Sequence, residues 1–197
     1  MKKICDIILI LLIIGAIIFG VIIGSEYLRR EKNEDKLSAV VAQIESINTD
    51  TSKISKENKQ ELIKVDGYDV EGIIEIPKIN IKYPIVSTTS DEAMKVAITK
   101  FWGTNINDIG NYTMAGHNYK NGTMFGKTKY LQIGDKIKMT DLNLNTVEYE
   151  IFKIYTIDPD DVKCIESVDP NTREITLITC TNGHKNRLIT KAREIIK

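Results

Sequence analysis

Thr176-Leu177-Ile178-Thr179-Cys180-Thr181-Asn182-Gly183-His184-Lys185-Asn186-Arg187 reads as an apolar strand, a tight turn and the start of a second strand. The Asn-Gly pair tolerates positive φ at both positions, which suits a short connection between antiparallel strands. With Thr181 to Asn186 as the loop, Cys180 and Arg187 stand opposite each other. Directly opposed residues point to one side with Cβ atoms roughly 5 Å apart. A permanent cation then lies close enough to a thiol to stabilise negative charge near sulfur.

Upstream of this hairpin, beyond Gly67, the chain is made of short β-branched runs separated by Gly, Pro, Asn and Asp, the pattern of a barrel or sandwich. Strands are expected around Gly72 to Ile76, Tyr83 to Val86, Asn111 to Ala115, Lys136 to Asp141, Thr146 to Ile157, Glu174 to Cys180 and Arg187 to Arg193. Ser90 to Thr99 departs from it: Ser90 or Asp91 can cap a helix carrying Ala93, Met94, Ala97 and Ile98 on one side. The expectation is a mostly β domain over 71–197, large enough to bury its own core.

At the other end, Ile7 to Gly24 is an eighteen-residue run without a charge, fourteen of them Ile, Leu, Val or Phe. At ~1.5 Å per residue it spans about 27 Å, close to the hydrocarbon thickness of a bilayer. At roughly −0.3 to −0.6 kcal/mol each, those fourteen residues favour insertion by about 4 to 8 kcal/mol. A cleaved secretory signal is the rival reading, but Ile22-Ile23-Gly24-Ser25-Glu26 sets a bulky residue where a cleavage site wants a small one. An uncleaved anchor is favoured. Between anchor and β domain, Leu37, Val40, Val41, Ile44 and Ile47 recur at helical spacing in a Lys- and Glu-rich stretch, which reads as a helical stalk. Thr49-Asp50-Thr51-Ser52 interrupts it, and Ile54, Leu62 and Ile63 suit a second short helix.

Lys and Arg balance Asp and Glu at 27 each, and no basic stripe stands out, so nucleic acid is not an expected partner. The three cysteines, Cys5, Cys164 and Cys180, do not make a disulfide framework. A Cys164 to Cys180 disulfide is the one pairing left open; Cys5, at the membrane edge, is either inert or acylated.

A cysteine is a nucleophile only as thiolate, so a catalytic Cys180 needs a base or a cation near it. The chain has two histidines. His117 follows the strand Asn111 to Ala115 and would project from the barrel rim; His184 lies in the tight turn, pointing outward, which makes it the poorer base. On residue type alone, Cys180 could equally be a small buried hydrophobe, the Gly116-His117 pair a surface loop, and Arg187 an outward strand charge.

The ordered set of motifs resembles the sortase family, the cysteine transpeptidases of Gram-positive surfaces. Thr176-Leu177-Ile178-Thr179-Cys180 is similar to the family's TLxTC, Ala115-Gly116-His117 to its histidine strand end, and Arg187 falls on its arginine strand. Gly72-Ile73-Ile74-Glu75-Ile76-Pro77-Lys78-Ile79 and Tyr83-Pro84-Ile85 look like its opening strands. Phe125 through Leu131-Gln132-Ile133-Gly134-Asp135 resembles its F-x-x-L-x-x-G-D stretch, with a slightly longer interval. The resemblance covers about Gly72 to the C-terminus and implies a closed eight-stranded β-barrel with one or two short helices. It further implies that Cys180 attacks the threonine carbonyl of an LPxTG-like sorting signal, that an acyl-enzyme forms, and that His117 shuttles the proton. Arg187 would stabilise substrate backbone or oxyanion; Thr179, Asn118 and Thr181 would line the substrate site. The acceptor would be an amine of a peptidoglycan precursor or of a pilin subunit. No class C lid motif and no inserted class B helix is recognised, so a class A- or D-like enzyme is expected, with class B left open by the short Cys180 to Arg187 interval. Specificity is expected in the 155 to 174 loop. Its carboxylates are read as solvated, with calcium as the one cofactor the resemblance leaves open and no metal ligands assigned.

Lys2 and Lys3 on one side of the anchor meet Arg29, Arg30 and Lys32 on the other, so charge does not orient it. A surface transpeptidase works outside the cell. The expected layout is a cytoplasmic tail 1–6, a single-pass transmembrane anchor 7–24, an extracytoplasmic stalk 25–70 and the barrel 71–197. Two competing readings share these features: a non-catalytic membrane-tethered β domain that binds wall polymer or a protein, and a cysteine peptidase with water as acceptor.

Overall fold

The computed structural model describes residues 2–46 and 63–196. The predicted interruption at Thr49 to Ser52, with Ile47, Ile54 and Leu62, lies outside the described residues. Helix α1 spans Lys2–Ser46, and the chain divides into two units, Met1–Lys36 and Leu37–Lys197. In the first unit the side chains from Ile7 to Ile23 are exposed, Leu12 and Phe19 at 66% and 65%. Among the described residues α1 is the one helix long and apolar enough to cross a membrane. A helix is the only open element that can do so, because it satisfies every backbone group within itself.

The second unit begins with the last turns of α1. Leu37, Val41 and Ile44, at helical spacing, are 1%, 6% and 0% exposed and belong to the same core cluster as the strands that follow. The stripe read as part of a helical stalk is the face that this helix packs on the barrel domain, and Glu45 adds an ion pair to Lys82. Ile44→Ala should lower unfolding free energy by about 2–5 kcal/mol, the range for emptying a fully buried aliphatic site. Urea unfolding of the full chain in detergent, followed by a barrel signal such as Trp102 fluorescence, measures it. A midpoint unchanged from wild type would mean that this helix face contributes nothing.

The strands are β1 Lys64–Val65, β2 Tyr68–Ile76, β3 Ile81–Val86, β4 Ile98–Gly103, β5 Gly110–Ala115, β6 Lys136–Asp141, β7 Thr146–Ile157, β8 Arg173–Thr181 and β9 Asn186–Glu194. They form one sheet in the order β1-β2-β3-β4-β5-β8-β9-β7-β6, and β6 returns to pair with β2. The closed barrel thus has eight strands, as expected, with the two-residue β1 added outside against Tyr68 and Asp69. Closure runs through Gly72↔Asp141, Ile73↔Thr140, Ile74↔Met139 and Glu75↔Lys138. A Cβ on Gly72 would lie 2.3 Å from the Thr140 carbonyl oxygen, so this seam requires glycine.

The helix predicted over Ser90 to Thr99 is shorter. Helix α2 covers Asp91–Val96, capped by the Ser90 side chain, which accepts from the Ala93 amide at 3.1 Å. Ile98 and Thr99 belong instead to β4, in parallel register with Ile85 and Val86 of β3. β-Branched side chains are restricted in a helix and pack well on a sheet, and here the neighbouring strand decides.

Strand β8 runs between β5, to which it is parallel, and β9, to which it is antiparallel. Ile175 and Leu177 enter the barrel core. By alternation, Glu174, Thr176, Ile178 and Cys180 face outward; the long connection between β7 and β8 buries the first two, and the last two are half-buried. Parallel pairing up to Ala115↔Ile178 brings the ends of β5 and β8 to the same rim.

Candidate active site

The β8–β9 ladder sets Cys180 against Arg187 and closes with Thr181↔Asn186, leaving four residues in the turn. Asn182, Gly183 and His184 take φ of 51, 64 and 73°, the left-handed region that Asn and Gly tolerate best. The Asn182 amide donates to Asn186 Oδ1 at 3.0 Å, and the Asn186 amide to Asp158 Oδ1 at 3.2 Å, fixing the turn to the end of β7. His184 is exposed. Arg187 Nη1 donates to the carbonyls of His184 and Asn186 at 3.1 and 3.3 Å. Both bonds use one nitrogen of a five-donor group, so the guanidinium is oriented while keeping donors for another partner.

Residues 116–118 are fastened onto 178–180 by three hydrogen bonds. The Gly116 amide donates to the Ile178 carbonyl at 3.1 Å, the Thr179 hydroxyl to the Gly116 carbonyl at 2.7 Å, and the Asn118 amide side chain to the Cys180 carbonyl at 2.8 Å. His117, between them, is held from the other side by the Phe125 amide, which donates to its carbonyl at 3.0 Å. Its ring stands 5.0 Å from that of Tyr119, at an interplanar angle of 43°. Phe125 lies against Gly116, where an added Cβ would come within 2.8 Å of the ring. The glycine before His117 and the phenylalanine eight positions later are one packing unit.

His117, Cys180 and Arg187 all line a single pocket of about 270 Å³. Met94 of α2, Phe101 of β4, Ile157 at the end of β7, and Pro159 and Val162 along the β7–β8 connection line it, together with Ile178 of β8. Such a site, mostly apolar with a few convergent polar groups, suits an extended peptide bearing apolar side chains. Thr179 also borders the pocket, but its buried hydroxyl is engaged by Gly116. Asn118 and Thr181, expected at the substrate site, are not among the lining residues. The Asn118 amide is used to hold the Cys180 backbone, and Thr181 pairs at the last rung of the ladder.

Cys164 lines the same pocket, and both it and Cys180 are free thiols. Cys164 is buried and Cys180 half-buried. Burial pushes the Cys164 thiol above its ordinary pKa, Lys191 pulling it partly back and Asp161 adding to the rise. No group of three or more His, Cys, Asp or Glu among the described residues could hold a metal ion. Met94 was read only as part of a helix's apolar side, and Phe101 escaped the sequence reading. The signal was present in Ile98-Thr99-Lys100-Phe101-Trp102, a β-branched and aromatic run that the apparent helix obscured.

Residues 74–195 match the family model of the Sortase domain. The chain is 29% identical to Sortase A of Bacillus anthracis, covering 94% of this chain and 90% of that one. It is 31% identical to Sortase D of Bacillus subtilis over 75% of this chain and 71% of the relative. Among solved structures, a Sortase D5 transpeptidase of Clostridium perfringens superposes with a TM-score of 0.65 at 30% identity, covering 80% of this chain and 99% of that one.

Proposed function

Because this chain belongs to the sortase family, whose members are transpeptidases, we propose that it cleaves an LPxTG-like sorting signal of surface proteins and transfers the acyl group to an amine of the cell wall. The observation that carries the proposal is the convergence of Cys180, His117 and Arg187 on one pocket. The Cys180 thiolate attacks the threonine carbonyl of the signal; the C–N bond breaks, a thioester forms, and His117 gives a proton to the departing amine. An incoming amine then attacks the thioester and loses its proton to the same imidazole, restoring the thiol. Arg187, opposite Cys180 in the ladder, stabilises the oxyanion of each tetrahedral intermediate or the adjoining substrate backbone. Similarity to Sortase A and Sortase D relatives favours a class A- or D-like enzyme. The apolar part of α1 anchors it with the N-terminus inside and the barrel on the extracytoplasmic face.

Incubating the full chain in detergent with a library of sorting-signal peptides, with and without an added amine, and weighing the products tests the reaction. Amine-linked products support transfer; cleavage that never incorporates the amine would replace it by hydrolysis. Arg187→Lys should lower kcat/KM by about 10²-fold, since an ammonium cannot reproduce the fork of donors a guanidinium presents. Steady-state kinetics on the selected peptide measure it, and full activity in Arg187→Lys would remove the arginine from the oxyanion role.

A further inference from the structure

The β7–β8 connection that walls the pocket rests on a buried polar patch of the barrel's outer face, and the most unusual member of that patch is Lys191. It sits on β9, opposite Thr176, and is 2% exposed, although lysine is rarely buried so completely. Its Nζ donates to the Cys164 carbonyl at 3.1 Å and to the Glu166 carbonyl. Beside it the Thr176 hydroxyl donates to Asn111 Oδ1 at 2.9 Å, and the Asn111 amide donates to the Ile165 carbonyl at 2.8 Å. Just beyond, the buried Glu174 carboxylate accepts the amides of Val168 and Asp169 at 2.7 and 3.1 Å and is paired with Arg193 at 2.8 Å. A short block of loop backbone, 164–169, is thus held to the barrel by side chains of β5, β8 and β9. The preceding stretch contributes Pro159, Asp161 and Val162 to the pocket. It is joined to that block through the Ile165 amide, which donates to the Val162 carbonyl at 3.1 Å; its other bonds are the Asp161 amide to the Asp158 carbonyl at 3.1 Å, the Lys163 amide to Asp161 Oδ1 at 2.9 Å and the Asn186 amide to Asp158 Oδ1 at 3.2 Å.

We propose that Lys191 is a positioning residue for substrate binding: its buried ammonium fixes the backbone at Cys164 and Glu166 and thereby sets the wall of the pocket facing His117 and Cys180. Keeping a charge in this place is costly, since burial depresses the lysine's basicity while Glu174 partly restores it. A hydrophobic residue would avoid that cost but leave loop carbonyls without a donor. Lys191 touches none of the reacting groups. Its effect must reach the reaction through the loop, so it falls on substrate binding rather than on chemistry at Cys180.

The kinetic arm of the test rests on the transpeptidase reading; a second arm does not. In Lys191→Met, which keeps the apolar stem and removes the donor, KM for the sorting peptide should rise about tenfold while kcat stays within about twofold. In the same full-length protein, peptide mapping after N-ethylmaleimide should show Cys164 labelled about tenfold faster than in wild type, because the freed loop uncovers it. Lys153→Met, an exposed lysine on the same sheet face, should match wild type in both. Where Lys191→Met does not fold, Lys191→Gln, whose shorter amide does not span both carbonyls, carries the same measurements. Unchanged Cys164 labelling in the folded variant overturns the proposal, as does a loss confined to kcat. A wild-type protein that cleaves no sorting peptide ends the transpeptidase reading alone, and the labelling rates still decide the role of Lys191.

Discussion

Cys180→Ala is expected to abolish cleavage of the sorting-signal peptide, with a loss of roughly 10⁴-fold or more in kcat and no thioester detectable by mass. Two free thiols border the pocket, so the choice between them is a physical one. Nucleophilicity belongs to the thiolate, and its formation is favoured by exposure and by a neighbouring cation. Cys164 is buried, and burial raises its pKa, against the ionisation attack requires. Cys180 is half-buried at the end of β8 with Arg187 directly opposite and His117 on the same pocket. Intact-mass and peptide-mapping analysis of wild type mixed with peptide in the absence of amine should therefore find the acyl adduct on Cys180. Cys164→Ala should still form that adduct. An adduct on Cys164, or full turnover by Cys180→Ala, would sink the mechanism.

The hairpin at the heart of this site was legible because its signal is local: Asn182-Gly183 fixes the turn, the turn fixes the register, and the register sets Cys180 against Arg187. The place of His117 just past the end of a strand was legible, although only the sheet order explains why β5, far away in sequence, lies beside β8. Features that depend on distant partners were harder to read. The stripe Leu37, Val41 and Ile44 declares that a helix face is covered, not what covers it, and the answer is the barrel's own cluster. Ile98 and Thr99 continue a helical spacing from Ala93, Met94 and Ala97 until parallel pairing with β3 claims them for β4. Phe101 stands at an irregularity between Lys100 and Trp102, which breaks the period-two rule that would have assigned its face. Lys191 and Glu174 read as ordinary strand charges. Nothing local announces that residues 164–169 fold back over them and make both buried.

His117→Ala should lower kcat/KM for peptide cleavage by about 10²–10⁴-fold, the usual worth of a positioned general acid and base. His184→Ala should leave it near wild type. The difference follows from placement: His117 borders the pocket beside Cys180 and is fastened on both flanks through Gly116 and Asn118, whereas His184 is exposed in the turn and offers Arg187 only its backbone carbonyl, which alanine also supplies. Two substrates separate proton transfer from a mere packing effect. A thioester analogue of the sorting signal, whose thiolate leaving group departs as a weak base, needs little acid assistance, so the His117→Ala deficit in acylation should shrink towards wild type. Hydroxylamine, largely unprotonated at neutral pH, needs less help from a base than an alkyl amine, so the deficit in the transfer step should shrink with it. Comparable losses with every donor and acceptor would assign His117 to shaping the pocket and leave the proton carrier to be sought elsewhere. A collapse in His184→Ala would reverse the assignment of the two histidines.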